Sequence, residues 1–241
     1  MKNFELISFA SADELARAVA SAWLDEIEAA NRAGKPHCVA LSGGRITLKF
    51  FAAVIEQTKA RAVSFERVHF FWADERCVPP TNAESNFRAA HELLFTPLKI
   101  ATAQIHRIQG ELPPKAAAEL AISEISNVAP KNSGSVPVLD LIFLGMGEDG
   151  HIASLFPDAV AEIVNCSAPF LMIENSPKPP PTRISLSYKT IVAARQVWVL
   201  ASGAGKEGAL HESLLPAGKT PLARVIQLRS GTKIFTDITP G

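Results

Sequence analysis

Cysteine is scarce: the 241 residues contain only Cys38, Cys77 and Cys166. An odd count at wide spacing, with no C-x-x-C pair, points away from a disulfide framework and from a zinc site, and a reducing cytoplasm is the default compartment. Net charge is missing as well, since 24 Lys and Arg balance 24 Asp and Glu. Without a field of one sign, neither nucleic acid nor an anionic membrane is an expected partner, and any anionic ligand must be held by local groups. Long apolar runs are also absent. No stretch of about 18 residues lacks a charge or turn former, which excludes a membrane-spanning helix. The opening MKNFELISFASADEL carries Glu5 inside its apolar part, so no signal peptide is read. There is no internal repeat and no low-complexity tract.

What is present fits a compact folded chain. With 47% hydrophobic and 20% charged residues, disorder is excluded as the general state. A chain of this length buries roughly 70% of its unfolded surface and needs no covalent or metal staple. One α/β domain over residues 1–241 is expected, as a monomer or weak homo-oligomer.

Ser11 and Glu14 have capping-box spacing and lead into Leu15, Val19, Trp23 and Ile27 on one helical face, with Gly34 as the stop. Beyond it the chain alternates. Strand-like runs at 37–41, 68–72, 138–144, 170–173 and 196–201 interleave with helical stretches near 48–57, 85–95, 115–125 and 206–215. Runs such as VLDLIFLG and QVWVLASG are apolar on both faces, as in central strands of a parallel sheet covered by helices. The pattern predicts a doubly wound α/β fold, mostly parallel, with helices on both faces and ligands at the carboxyl ends of the strands. The loops after Leu41, Trp72, Leu144 and Ala201 are therefore placed at the chemistry. The stretches 127–137 and 176–181, rich in Pro, Ser and Asn, read as surface loops.

Two segments, Gly145-Met-Gly147-Glu-Asp-Gly150 and Gly203-Ala-Gly205-Lys-Glu-Gly208, match the dinucleotide pattern G-x-G-x-x-G, and a second match shows how unselective that pattern is. In the first, Glu148 and Asp149 occupy the place of a pyrophosphate and Pro157 cuts short the helix that should receive it. Ser42-Gly43-Gly44, between a buried strand and a helix, presents backbone amides for a phosphate. It also resembles a nucleophile elbow built on Ser42, although no H-G-G-G run accompanies it. In Glu148-Asp149-Gly150-His151, a carboxylate beside an imidazole can set its tautomer and basicity for proton transfer. A metal held by Asp149 and His151 would need a third ligand that the sequence does not supply. His69, His91, His106 and His211 lack an acid in such a turn and read as structural. Arg76 of Asp74-Glu75-Arg76 either binds a phosphate or neutralises its two neighbours, and Lys206 is open to the same two readings. Together, a glycine turn, an arginine, a lysine and a histidine on four strand ends describe a site for a small phosphorylated substrate with one general base.

The stretches WADERCVPPTNAESNFRAAHELL, DLIFLGMGEDGHIASLFP and TRISLSYKTIVAARQVWVLASGAGKEGAL resemble the 6-phosphogluconolactonase family in order and spacing across nearly the whole chain. Related sugar-phosphate isomerase-deaminases share a D-G-H-I-A motif, but a Phe-Asn-Glu-Pro run stands there in place of Ser154-Leu155-Phe156-Pro157. The resemblance implies hydrolysis of 6-phospho-D-glucono-1,5-lactone without metal or cofactor. His151 is then the base, Asp149 its partner, and Ser42, Gly43, Gly44, Arg76 and Lys206 the phosphate cradle, with Arg183 a further candidate for substrate contact or for an ion pair beneath the site. The chain departs from the family at one loop. Where S-G-G-S-T-P is usual, it has Ser42-Gly43-Gly44-Arg45-Ile46-Thr47, so Arg45 either replaces the lost hydroxyl donors or faces solvent.

Overall fold

The computed structural model describes residues 3–238. In chain order they form β1 (Phe4–Ser8), α1 (Ala12–Arg32), β2 (His37–Leu41), α2 (Arg45–Thr58), β3 (Val68–Trp72) and β4 (Asp74–Arg76). Then follow α3 (Asn86–Ala90), α4 (Thr96–Leu98), α5 (Pro114–Val128), β5 (Leu141–Gly145), α6 (Ala161–Val164), β6 (Phe170–Ile173) and β7 (Arg183–Leu186). The chain closes with α7 (Tyr188–Ala193), β8 (Gln196–Ala201), α8 (Glu207–Leu214), α9 (Pro221–Leu228) and β9 (Thr232–Thr236).

Six strands pair in the order β1-β9-β8-β5-β2-β3, every neighbour parallel. All five residues of β2 are buried, so both faces of the sheet are covered, as its unbroken apolar sequence requires. The chain leaves β2 for β3 on one side and returns to β5 on the other. That reversal opens a crevice at the carboxyl ends of β2 and β5, where doubly wound sheets bind ligands.

The first helix forms as its cap predicts: Ser11 Oγ accepts from Glu14 N at 3.2 Å, and Glu14 reaches back to Ala10 N. Its buried stripe centres on Trp23, whose ring meets Phe50 of α2, Phe70 of β3 and Phe143 of β5. The indole N–H is satisfied by His37 Nε2 at 3.3 Å. One residue thereby locks a helix pair onto the sheet beneath the site.

Three features depart from the sequence reading. The 170–173 run joins no parallel sheet: β6 pairs antiparallel with β7, which pairs antiparallel with β4, giving a separate three-stranded sheet. The two strands of the main sheet beyond β8, namely β9 and the edge strand β1, lie in segments whose apolar patterns are too short to stand out. And β5 begins at Leu141 rather than 138, because Val138 N is already committed to Pro130 O at 2.7 Å.

Candidate active site

The glycine turn after β2 is the floor of the cleft. Gly44 caps α2 with φ +109°, a conformation that L side chains resist, and no side chain bonds the helix's first amides. The open amides and the positive end of a 14-residue helix therefore face the cleft. Ser42 contributes no free nucleophile: its Oγ, buried, donates to Phe143 O of β5 at 2.8 Å and ties the two strand ends together. Thr47 turns away as well, bonding Gly43 O at 3.0 Å.

The loop after β5 carries the acid and the histidine. Ile152 and Leu155, fully buried, anchor it in the core. Between them and β5 the chain doubles back, with Gly147 N donating to His151 O at 2.9 Å. A side chain at Gly147 would put its Cβ 2.0 Å from His151 Nδ1, so only glycine admits the ring. His151 Nδ1 meets Asp149 Oδ1 at 2.5 Å, and the same oxygen accepts from His151 N at 3.2 Å. With Nδ1–H donated to the carboxylate, Nε2 keeps the lone pair. Burial lowers the imidazole's pKa below its ordinary value, outweighing Asp149, which raises it. Burial pushes the Asp149 carboxyl the other way, but the bonds from His151 and the charge of Lys178 prevail and hold it below the usual carboxylate range. Both directions favour a neutral imidazole beside a carboxylate near neutral pH.

Cations line the rest of the cleft. Arg45 reaches across to the loop after β8, its Nη2 being 3.9 Å from where a Cβ on Gly203 would lie. There it crowds Lys206: burial first, then Arg45's charge, lowers the lysine's pKa. Arg45 thus borders the cleft while remaining exposed to solvent. On the other wall, Arg76 and Arg183 are cross-strand partners in β4 and β7. Like charges so placed repel unless an anion lies between them. Arg76 does not pair with Asp74 or Glu75; its Nη1 donates to Glu84 O at 2.8 Å and pairs with Glu84 Oε2 at 3.4 Å, and its buried Nε has no partner among the described residues. Arg183 is only 3% exposed and is committed largely to the carbonyls of Lys178, Pro179 and Pro180. That makes it first a clasp for a neighbouring loop, although it also borders the cleft.

One cleft gathers Ser42, Gly43, Gly44, Arg45, Arg76, His151, Arg183 and Lys206, with Asp149 behind the histidine. All four loops expected at the chemistry meet there. The first dinucleotide motif is not built as one: no helix follows Gly150, where a turn leads to the Ile152–Leu155 bridge, whereas the second does run from β8 into α8. No group of three or more His, Cys, Asp or Glu among the described residues is arranged to hold a metal.

The sequence reading passed over Asp74 and Asn86 as site residues. Asp74 is 4% exposed, accepts from Ser154 Oγ at 2.6 Å, and borders the cleft near His151. Asn86 Nδ2 donates to Asp74 O at 2.9 Å. A polar residue opening a helix twelve residues downstream carries no mark in sequence; the bonds of its main-chain N to Glu75 and of its side chain to Asp74 bring it in.

A family model described as "Glucosamine-6-phosphate isomerases/6-phosphogluconolactonase" matches residues 10–235. The chain belongs to this family. The 6-phosphogluconolactonase of Treponema pallidum is 34% identical over 220 residues, covering 90% of each chain. A probable chloroplastic 6-phosphogluconolactonase 3 of Oryza sativa subsp. indica is 35% identical over 210 residues, which are 83% of this chain and 63% of the rice protein. This chain thus spans less than two thirds of that relative's length. The solved 6-phosphogluconolactonase of Trypanosoma brucei shares 28% identity and a TM-score of 0.83, covering 98% of this chain and 96% of that one.

Proposed function

We propose that this protein hydrolyses 6-phospho-D-glucono-1,5-lactone to 6-phosphogluconate. The observation that carries the reading is the Asp149–His151 pair, with Nε2 free, in a cleft whose remaining walls bear Arg45, Lys206, Arg76 and Arg183. Membership of the family and the names of its relatives support the same substrate.

A lactone carbonyl is electrophilic enough for direct attack by water, so a placed base suffices. Water adds to C1 while His151 Nε2 takes its proton, and the tetrahedral intermediate expels the ring oxygen. The imidazolium returns the proton to that oxygen, which becomes the C5 hydroxyl, and C1 leaves as a carboxylic acid that ionises. Asp149 keeps the ring in the required tautomer and balances the transient positive charge. Gly43, Gly44, Arg45, Arg76 and Lys206 hold the phosphate, so that binding energy far from C1 orients the reacting bond. We assign the protein to the cytoplasm, in keeping with its free cysteines, as one functional unit acting as a monomer or weak homo-oligomer.

Hydrolysis of freshly generated 6-phosphogluconolactone, corrected for the spontaneous reaction, tests this directly. Turnover well above background with the phosphorylated lactone, and much less with gluconolactone, is expected. Equal activity on both would remove the phosphate site, and the absence of any acceleration would reduce the protein to a sugar-phosphate binder.

A further inference from the structure

Between β6 and β7, residues 176–181 form a strap beside the Asp149–His151 pair. Its composition suggests a loose surface loop, yet its main chain is tied throughout. Ser176 N donates to Pro181 O at 2.8 Å, while Ser176 Oγ donates to Lys178 O at 2.9 Å and accepts from Lys178 N at 3.3 Å. From beneath, Arg183 donates to Lys178 O at 2.9 Å, Pro179 O at 3.1 Å and Pro180 O at 3.0 Å. Burying a guanidinium is costly, and here it is offset by main-chain carbonyls of one short loop. The same cation lies over the Phe156 ring, which packs against His151 with centroids 4.7 Å apart. The outcome is a fixed perch for one charged side chain, Lys178, whose Nζ stands 3.9 Å from Asp149 Oδ1.

The charged groups facing His151 come from three elements: Asp149 on its own loop, Asp74 from β4 and Lys178 from the strap. Two carboxylates draw a second proton onto the imidazole. Lys178 opposes them, and it also holds Asp149 in its ionised form.

We propose that Lys178 is a positioning residue for the reaction, fixing the Asp149 carboxylate against His151 Nδ1 and keeping Nε2 unprotonated in mildly acidic conditions. This rests on His151 being the general base, so the decisive measurement does not use activity. In K178A and K178M, NMR titration of the His151 imidazole shifts to higher pH than in wild type, and K178R restores it. In parallel, kcat/KM at about pH 5.5 relative to about pH 8 falls roughly two- to five-fold, the scale of a half-exposed charge contact. An unmoved His151 titration overturns the proposal. So does a loss of preference for the phosphorylated lactone like that expected of Lys206→Ala, which would make Lys178 a phosphate ligand. Failure of the general-base reading shows itself separately, as near-wild-type turnover in H151N.

Discussion

In the proposed mechanism His151 holds one proton on Nδ1, and Nε2 takes a second. Replacing it with Asn leaves the cations in place, so kcat should fall by about 10²- to 10⁴-fold with little change in KM. Initial rates corrected for spontaneous hydrolysis give this directly, and near-wild-type turnover would sink the assignment. Because burial lowers the imidazole's pKa, kcat/KM should stay level from neutral pH down past about 6.5, the ordinary value, and fall only below it. A limb with its midpoint above that value would contradict the neutral-imidazole picture. The phosphate clamp is tested at Arg45, Arg76 and Lys206. A charge-assisted bond contributes about 1.5–3 kcal/mol, so each change to Ala should cost roughly 10- to 100-fold in kcat/KM for the phosphorylated lactone and little for gluconolactone. Ser42→Ala should be mild, since its hydroxyl serves Phe143 O. Loss of all turnover in that variant, with a trapped acyl-enzyme in wild type, would revive the serine-hydrolase reading.

At the scale of elements, the site depends on how α3 is mounted on β4. Glu75, 2% exposed, accepts from Arg76 N, Asn86 N, Phe87 N and Ser85 Oγ. Burial raises its carboxyl above the ordinary range, and the backbone donors pull it partly back. Glu75→Ala would strand several buried donors at about 1–3 kcal/mol each and release Asn86 and Arg76 from the cleft. Chemical denaturation should show the stability loss, and the preference for the phosphorylated lactone should fall with it. An unchanged midpoint would mean that water replaces the carboxylate. Nothing in Asp74-Glu75-Arg76 reveals this division of labour, because three adjacent charged residues read alike until their strand is paired.

For the whole molecule, burial of neutral imidazoles couples stability to pH. His37, His69 and His151 all have pKa values pushed below the ordinary value by burial, first of all. When the folded pKa is the lower one, the unfolded chain binds more protons below about pH 6.5, and stability is lost as pH falls through that value. Thermal unfolding followed from about pH 7.5 to 5.5 should show a falling midpoint, and His69→Asn should flatten the slope. A midpoint independent of pH across that window would show these imidazoles to be free to charge in the fold.

Sequence alone determined the parallel α/β layout, since runs apolar on both faces fit strands covered on both sides, and it marked the strand ends whose loops meet at one cleft. It singled out the Asp149–His151 loop, because an acid, a glycine and a histidine at that spacing can close on one another without help from elsewhere. Only the tertiary structure decided what depends on distant segments meeting. The antiparallel β4-β7-β6 sheet set Arg76 beside Arg183, and the bonds of Asn86 to Asp74 and Glu75 brought it to the cleft. The approach of the loop after β8 turned Arg45 toward Lys206, and the clasp of Arg183 carried Lys178 to Asp149. The physical reason is range: turn chemistry and hydrophobic period act over a few residues, whereas the field at a catalytic imidazole is summed over whatever the fold brings within a few ångströms of it.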